Sequence, residues 1–342
     1  MFRRRDGLFY TGPMRRLTSS VLKRLADGVF HSGEALARDL DVTRASVWLA
    51  IRDIETMGIE VYKVRGRGYR LTQPLALLDR AAIERRLGGR AARFTLEIRD
   101  AVDSTNTVLA ERAAAGAPGG TVIAAEWQRG GRGRLGRAWH AGAGEALTFS
   151  LLWRFPRGSG ALSGLSLAIG VALVRALAAA GVPAAALKWP NDVLWRGRKL
   201  CGILTELAGD ALGPTAAVIG IGINVRLSAA TRARIDQPVT DIETACGRAP
   251  DRNELLAGVL IELGDVLEAF AREGFAPLRA EWHRVHAHQG KRVTLTLPDG
   301  TRQAGRALGV AEDGSFLLET RSGVKRYHSG EISLRPATAG KT

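Results

Sequence analysis

The chain has 342 residues, enough for two or three domains of ordinary size. Apolar residues make up 46% of it, which supplies a core and excludes a disordered polymer. A net charge of +15, from 49 Lys+Arg against 34 Asp+Glu, favours anionic partners such as nucleic acid or nucleotide, though part of the arginine excess reflects general composition.

The first stretch, 1–16, reads as a basic flexible tail, with Met14 as a second candidate start. No apolar h-region follows it, and no uninterrupted apolar run reaches the roughly 18 residues of a membrane span. Two cysteines, Cys201 and Cys246, have no metal-ligand spacing and suit a reducing compartment. A cytoplasmic location and no membrane partner are therefore expected.

Residues 17–75 form the first predicted unit. "TSSVLKRLADG" starts on hydroxyl cap candidates and ends at Gly28; "SGEALARDLDV" is a second helix. "TRASVWLAIRDIETMG" is a third, with Thr43 as N-cap and Val47, Ile51 and Ile54 on one face. "IEVYKVRGRGYRL" then reads as two short strands around a Gly-Arg-Gly turn. Helix, helix–turn–helix, hairpin is the order of a winged helix-turn-helix. The first 75 residues hold 14 basic and 8 acidic side chains, a net +6. Candidate DNA contacts are Thr43, Arg44, Ser46 and Trp48 in the motif from Gly33 to Arg52, with Arg65 and Arg67 at the wing. Trp48 and Leu49 are odd for a DNA face; they could meet a thymine methyl or pack on the wing.

"TQPLALLD" looks like a linker. From 76 to 288 strand-like runs ("TVIAAEW", "LTFSLLW", "TAAVIGIGINV") alternate with helical ones, a mixed α+β unit. "SGLSLAIGVALVRALAAAG" reads as a buried helix and "RNELLAGVLIELGDVLEAFAREG" as an amphipathic one. From 289 to 336 four or five short strands separated by "PDG", "EDG" and "RSG" suggest a small β-barrel. A disordered tail is expected over 337–342.

The densest chemistry lies in "GGRGRLGRAWH", Gly130 to His140, between two predicted strands. Its glycines let backbone N–H groups approach a ligand, and Arg132, Arg134 and Arg137 present forked donors that match carboxylate or phosphate. No Gly-Lys-Ser/Thr follows, so this is not a Walker loop; a solvated basic hairpin is the plain alternative. Four glycines and three mutually repelling arginines predict a loop that is mobile when empty. "LKWPNDVLWRGRKLCGILTE" adds Lys188, Asn191, Asp192 and Lys199, read as one strand–turn–strand hairpin with a rigid extended Trp-Pro segment. "DSTN" brings Ser104, Thr105 and Asn106 to a helix N-terminus.

Together "GRGRLGRAW", "KWPND" and "KLCGIL" resemble the biotin protein ligases, and the winged helix resembles the members that also repress the biotin operon. "GEISLRP" is similar to the family's C-terminal cap, so the likeness runs from about residue 17 to 336. Leu135 stands where several members carry another arginine.

The resemblance implies a winged helix, a central ligase unit of the biotin/lipoate type and a C-terminal SH3-like barrel. It implies an enzyme that joins biotin to ATP, with Mg²⁺, and passes biotin to a lysine of the carboxyl carrier of acetyl-CoA carboxylase. It also implies operator binding as a homodimer when ligand-loaded. By position, Ser104, Thr105, Asn106 and Gln128 would hold biotin's ureido head, and Arg132, Gly133 and Arg134 its carboxylate and the adenylate phosphate. Lys199 would reach the carboxylate and Lys188 the phosphates. Gly131, Arg137, Trp139, Asn191, Asn224 and Arg335 would approach the nucleotide. Asp192 would bind Mg²⁺ or accept the target lysine's proton.

The alternatives are a ligase with a vestigial helix-turn-helix, a lipoate-type ligase, and a nucleotide-sensing regulator without turnover. Plainer readings attach to other signals. "GIGIN" is a weak dinucleotide motif, Cys201 a small buried side chain, "HRVHAH" (283–288) polar surface rather than a metal site, and Trp127 core packing.

Overall fold

The computed structural model describes residues 16–209, 212–297 and 300–328, and the backbone of 333–336; the expected terminal tails lie outside the described residues, apart from Arg16.

Helices α1 (Arg16–Leu25), α2 (Gly33–Asp39) and α3 (Arg44–Thr56) precede the two-stranded wing, β1 (Val61–Val64) and β2 (Gly68–Leu71). Thr43 caps α3 by accepting from the Ser46 N–H at 3.1 Å. Val47, Ile51 and Ile54 are fully buried, and with Val21, Leu22 and Leu25 they close a core of their own. The expected caps of α1 are not caps. Thr18 and Ser19 lie inside the helix and are buried; the Thr18 hydroxyl donates to Asp53, and that of Ser19 to Asp100 of the next unit. Sequence shows hydroxyls near a helix start but not which long-range carboxylate will claim them.

The central unit contains α4 (Arg80–Leu87), β3 (Thr95–Val102), α5 (Thr105–Ala114), β4 (Thr121–Gln128), β5 (Ala146–Phe155) and α6 (Leu165–Ala179). It continues through β6 (Ala186–Lys188), β7 (Asp192–Trp195), β8 (Arg198–Gly209), β9 (Thr215–Asn224), α7 (Ala229–Ala233), α8 (Ile242–Cys246), α9 (Arg252–Glu273) and α10 (Arg279–Arg284). Its seven strands run β3-β4-β5-β9-β8-β7-β6; only β3 and β4 are parallel. Helices α6 and α9 cover one face. The stretch Ser159–Ala179 is long and apolar enough to cross a membrane by composition, but most of its apolar part is buried against this sheet and α9.

The C-terminal strands β10 (Arg292–Thr296), β11 (Arg302–Val310), β12 (Phe316–Thr320), β13 (Gly323–Tyr327) and β14 (Ser333–Pro336) form an antiparallel sheet ordered β13-β12-β11-β10-β14, the small SH3-like unit expected. Val293, Val310, Phe316 and Leu318 belong to the same apolar cluster as the central unit, so the two share a core. The whole is an α+β protein.

The segment after the wing is held along its length. Arg252 donates to the Ala76 carbonyl and forms a buried ion pair with Glu126 at 2.5 Å. Asn253 accepts from the Asp79 N–H and donates to the Leu77 carbonyl. The Met57 carbonyl, at the end of α3, accepts from the Ala143 N–H at 3.2 Å. The winged helix is thus seated on the segment that leaves the Gly-Arg loop.

Two local expectations are corrected. Residues 187–206 form parts of three strands with two turns, at 189–191 and 196–197. Trp189-Pro190 is a cis peptide in the first turn, not an extended segment. The Gly-Arg loop folds as a short hairpin. Gly133 donates to the Arg137 carbonyl at 2.6 Å and Trp139 to that of Gly131 at 2.8 Å, with left-handed Leu135 and Gly136 making the turn. Sequence counts charges and glycines; it does not show that these backbone groups can satisfy one another.

Candidate active site

The site lies over the face of β8 and β9 on which Gly202, Gly220 and Gly222 sit. Gly202 and Gly222 pair directly, and Gly220 pairs with Leu204. A Cβ on Gly222 would come within 2.5 Å of the Trp139 ring, so glycine is required there for the indole to lie on the sheet.

Above this floor lie two connected compartments. The inner one, about 50 Å³, is lined by Ser104, Thr105, Asn106, Gln128, Arg132, Trp139 and the three glycines, among others. Its polar end is a network around the start of α5. Gln128 Oε1 accepts from the Thr105 N–H at 2.8 Å, and Ser150 Oγ lies 2.7 Å from Thr105 Oγ1 and 2.6 Å from Asn106 Oδ1. Glu206 Oε2 accepts from Asn106 Nδ2 at 2.7 Å and Arg132 Nη2 at 3.1 Å. This gives a row of fixed donors and acceptors that suits a flat polar head.

The outer compartment, about 390 Å³, is lined by Gly133, Arg134, Arg137, Lys188, Asn191, Asp192, Lys199 and Asn224, with His140, Arg234, Asp236 and Gln237. Asp192 lies between two ammonium groups, 2.8 Å from Lys199 Nζ and 3.7 Å from Lys188 Nζ. Arg134 donates to Asn191 Oδ1 at 3.3 Å, and burial lowers its guanidinium pKa, opposed by Asp192 and reinforced by Arg137. Asn224 Nδ2 donates to the Thr240 carbonyl at 2.9 Å. The arrangement is an anion site with one embedded carboxylate. Arg134, Trp139, Asn191 and Lys199 border both compartments, so an anion at their junction would meet cations from the loop and from β8.

Most expected site residues are therefore brought together. Gly131 is buried under Trp139, where a Cβ would meet the Trp139 carbonyl oxygen at 2.7 Å; it shapes the loop without lining either compartment. Arg335 is placed on β14 opposite Thr294, and its side chain lies outside the described residues. Trp127 borders a separate groove between α3 and the loop. Ser150, Glu206, Arg234, Asp236 and Gln237 were not read from the sequence; only the alternating glycines of "GIGIN" carried a signal. That motif lies inside β9 and forms floor, not a dinucleotide turn.

On the winged helix, Thr43, Arg44, Trp48, Arg65 and Arg67 are exposed and Ser46 half-buried. Arg67 lies over the Phe30 ring at 4.3 Å, and Arg52 over Trp48 at 5.1 Å. The expectation of surface histidines is overturned: His286 and His288 are buried, and His286 stacks on Trp282 at 4.5 Å. Among the described residues no group of three His, Cys, Asp or Glu could hold a metal ion. Cys201 is fully buried, which raises its thiol pKa and keeps it unreactive.

The chain is similar to known proteins over most of its length. The model of the biotin/lipoate A/B protein ligase family matches residues 99–224, the segment that carries the floor, the Gly-Arg loop and the Lys188–Asp192–Lys199 cluster. The bifunctional ligase/repressor BirA of Escherichia coli is 36% identical over 317 residues, 93% of this chain and 97% of its own length. The chain belongs to this ligase family. A helix-turn-helix model matches residues 18–70, and the biotin protein ligase C-terminal domain matches 288–335. The BirA of Bacillus subtilis is 31% identical over 310 residues, 90% of this chain and 95% of that one. Among solved structures, the Aquifex aeolicus biotin protein ligase in complex with biotin and ATP superposes with a TM-score of 0.62 at 30% identity, covering 71% of this chain and 99% of that one.

Proposed function

We propose that the chain is a biotin–[acetyl-CoA-carboxylase] ligase that also acts as a biotin-responsive repressor. The units are the winged helix over 17–75, the ligase unit over 76–288 and the C-terminal unit over 289–336. The observation that carries the catalytic reading is the cluster of Lys188, Asp192, Lys199 and Arg134 where the two compartments meet.

Biotin's ureido head enters the inner compartment against Ser104, Thr105, Asn106 and Gln128. Its carboxylate lies toward Arg132, Gly133, Arg134 and Lys199. ATP occupies the outer compartment, its phosphates toward Lys188 and Arg137 and its nucleoside toward Trp139, Asn191 and Asn224, with Arg335 approaching from β14. Asp192 and Asp236 would hold Mg²⁺ together with the ATP phosphates, and the ion would neutralise phosphate charge there.

A carboxylate oxygen of biotin attacks the α-phosphorus, forming a C–O–P anhydride, and the α–β bond breaks to release pyrophosphate. Two anions must approach; at about 4 Å and an effective dielectric of about 20 their repulsion is roughly 4 kcal/mol. The surrounding cations offset it and stabilise the charge that develops. The carrier lysine then loses its proton and attacks the acyl carbon, and AMP leaves. Asp192 either receives that proton or serves as the Mg²⁺ ligand. No nucleophilic side chain is needed.

The exposed faces of α3 and the wing bind a two-fold operator through Thr43, Arg44, Ser46, Trp48, Arg65 and Arg67. One winged helix reads one half-site, so the binding species is a homodimer, favoured by ligand. The work is done in the cytoplasm.

The test is pyrophosphate release with ATP and Mg²⁺ on biotin or lipoate. Release with biotin and not lipoate is expected; preference for lipoate, or no release with either, would overturn the reading.

A further inference from the structure

Lys188 ends β6, a strand of only three residues at the edge of the seven-stranded sheet. Pairing with β7 alone would hold such a strand loosely. Its outer side is held by the segment after α10: Leu187 donates to the Val285 carbonyl at 2.7 Å, and Ala287 to that of Leu187 at 2.8 Å.

The turn that follows is held from farther away in sequence. Trp189 is fully buried, and its indole Nε1 donates to the Gly314 carbonyl at 3.1 Å. Its ring lies 5.3 Å from that of Phe316, the first residue of β12. The tip carrying Gly314 is itself fixed. The Ser163 hydroxyl donates to the Asp313 carbonyl, and the Ala311 N–H to that of Ser315 at 2.9 Å. Gly314 packs so closely on Gly164 that a Cβ would come within 2.7 Å of its Cα. One indole therefore joins the C-terminal sheet to the turn that presents Lys188, Asn191 and Asp192.

We propose that Trp189 is a positioning residue for the phosphate-activating side of the reaction, with Gly314 and Phe316 as its anchor. The C-terminal sheet acts on catalysis through this contact by fixing where Lys188 and Asp192 stand against ATP. Trp189 backs the wall of the outer compartment but is fully buried, with its indole N–H turned to Gly314; its part is to remove freedom from the turn whose charges meet ATP. The inference rests on the reading of Lys188 as a phosphate contact.

The contact predicts a split between the two substrates. Biotin's head is held by α5, β4 and β5, none of which touches the turn through Trp189. Asn191 of the turn also borders the biotin compartment, but its side chain is held by the Ile203 carbonyl of β8, so displacing the turn changes ATP use more than biotin binding. Misplaced catalytic groups lose rate steeply with distance, so an effect on the order of tenfold is expected.

The test uses full-length Trp189→Phe, which keeps a ring against Phe316 and removes the N–H donor. Phe316→Leu trims the same contact from the other side. Steady-state pyrophosphate release is measured against ATP and against biotin, biotin affinity is measured by calorimetry, and Lys188→Ala is run in parallel. The expected result is about a tenfold loss in kcat/KM for ATP in both variants, with biotin affinity within about twofold of wild type. ATP kinetics unchanged in both variants, or biotin affinity falling as much as ATP use, would overturn the proposal. If Lys188→Ala is itself silent, its phosphate role is wrong and the positioning role falls with it. Should Trp189→Phe fail to fold, Phe316→Leu decides by the same split.

Discussion

The Trp139 indole packs on Gly222, so close that a single added methyl would stand 2.5 Å from the ring. Gly222→Ala must therefore move Trp139 and the loop that ends on it. We expect biotin affinity to fall about tenfold or more, with little change in thermal stability, because the adjacent cavity can take up the displaced ring. Calorimetric titration with biotin checks this; wild-type affinity would show that Trp139 has no part in shaping the site.

Lys199 is 2.8 Å from Asp192 at the junction of the compartments. Lys199→Gln keeps the length of the side chain and removes the charge. Losing one fixed charge donor at developing charge costs about 2.7–4 kcal/mol, so pyrophosphate release should slow by two to three orders of magnitude. An intact circular dichroism spectrum beside that loss separates chemistry from folding. Near-wild-type release would remove Lys199 from the reaction.

The inner compartment, at about 50 Å³, has room for only a few waters. A bicyclic ligand must therefore shift Trp139 or the Gly130–Trp139 loop and settle beneath it. Trypsin should cut after Arg132, Arg134 or Arg137 faster in the empty protein than with biotin and ATP bound. Equal cleavage rates would mean that the hairpin is already closed without ligand.

Burial pushes the imidazoles of His286 and His288 down to about 4. An unfolded histidine takes up its proton near 6.5, so between about 6.5 and 4 the unfolded chain binds more protons than the folded one. Stability is fully present above that window and is lost as pH falls through it. His286→Gln should flatten the fall in Tm from pH 7 to 4. Parallel curves for variant and wild type would show that His286 does not govern acid sensitivity.

Arg67 is exposed on the wing and stacked on Phe30. Arg67→Ala should lower the salt slope of DNA binding by about one unit and leave sequence preference unchanged. Arg44→Ala, at the start of α3, should instead relax preference at one base position. Fluorescence anisotropy across a salt series with matched and scrambled duplexes distinguishes these outcomes.

How far the sequence disclosed these parts follows from the range of the interactions. The winged helix was legible because Thr43, Val47, Ile51 and Ile54 follow rules of cap and period that act within a few residues. The cationic site was legible because Arg132, Arg134, Lys188 and Lys199 sit in short blocks of characteristic composition. Ser150 and Glu206 were not: each is an ordinary residue on a strand, and only the register of β5, β8 and β9 brings it to the start of α5. Thr18 and Ser19 misled because their partners, Asp53 and Asp100, lie 35 and 81 residues away. The histidines of 283–288 misled because polarity suggested surface, whereas Trp282 and Phe316 enclose His286.

The most direct test is a two-stage single turnover. The protein is incubated with biotin, Mg²⁺ and ATP labelled in the α-phosphate, the bound adenylate is isolated, and a biotin carboxyl carrier domain is then added. The account predicts label retained with the protein as biotinyl-5′-AMP, then released as AMP as the carrier lysine gains biotin, with the first stage lost in Lys199→Gln. Label that never becomes protein-bound, or an adenylate that the carrier cannot discharge, would contradict it.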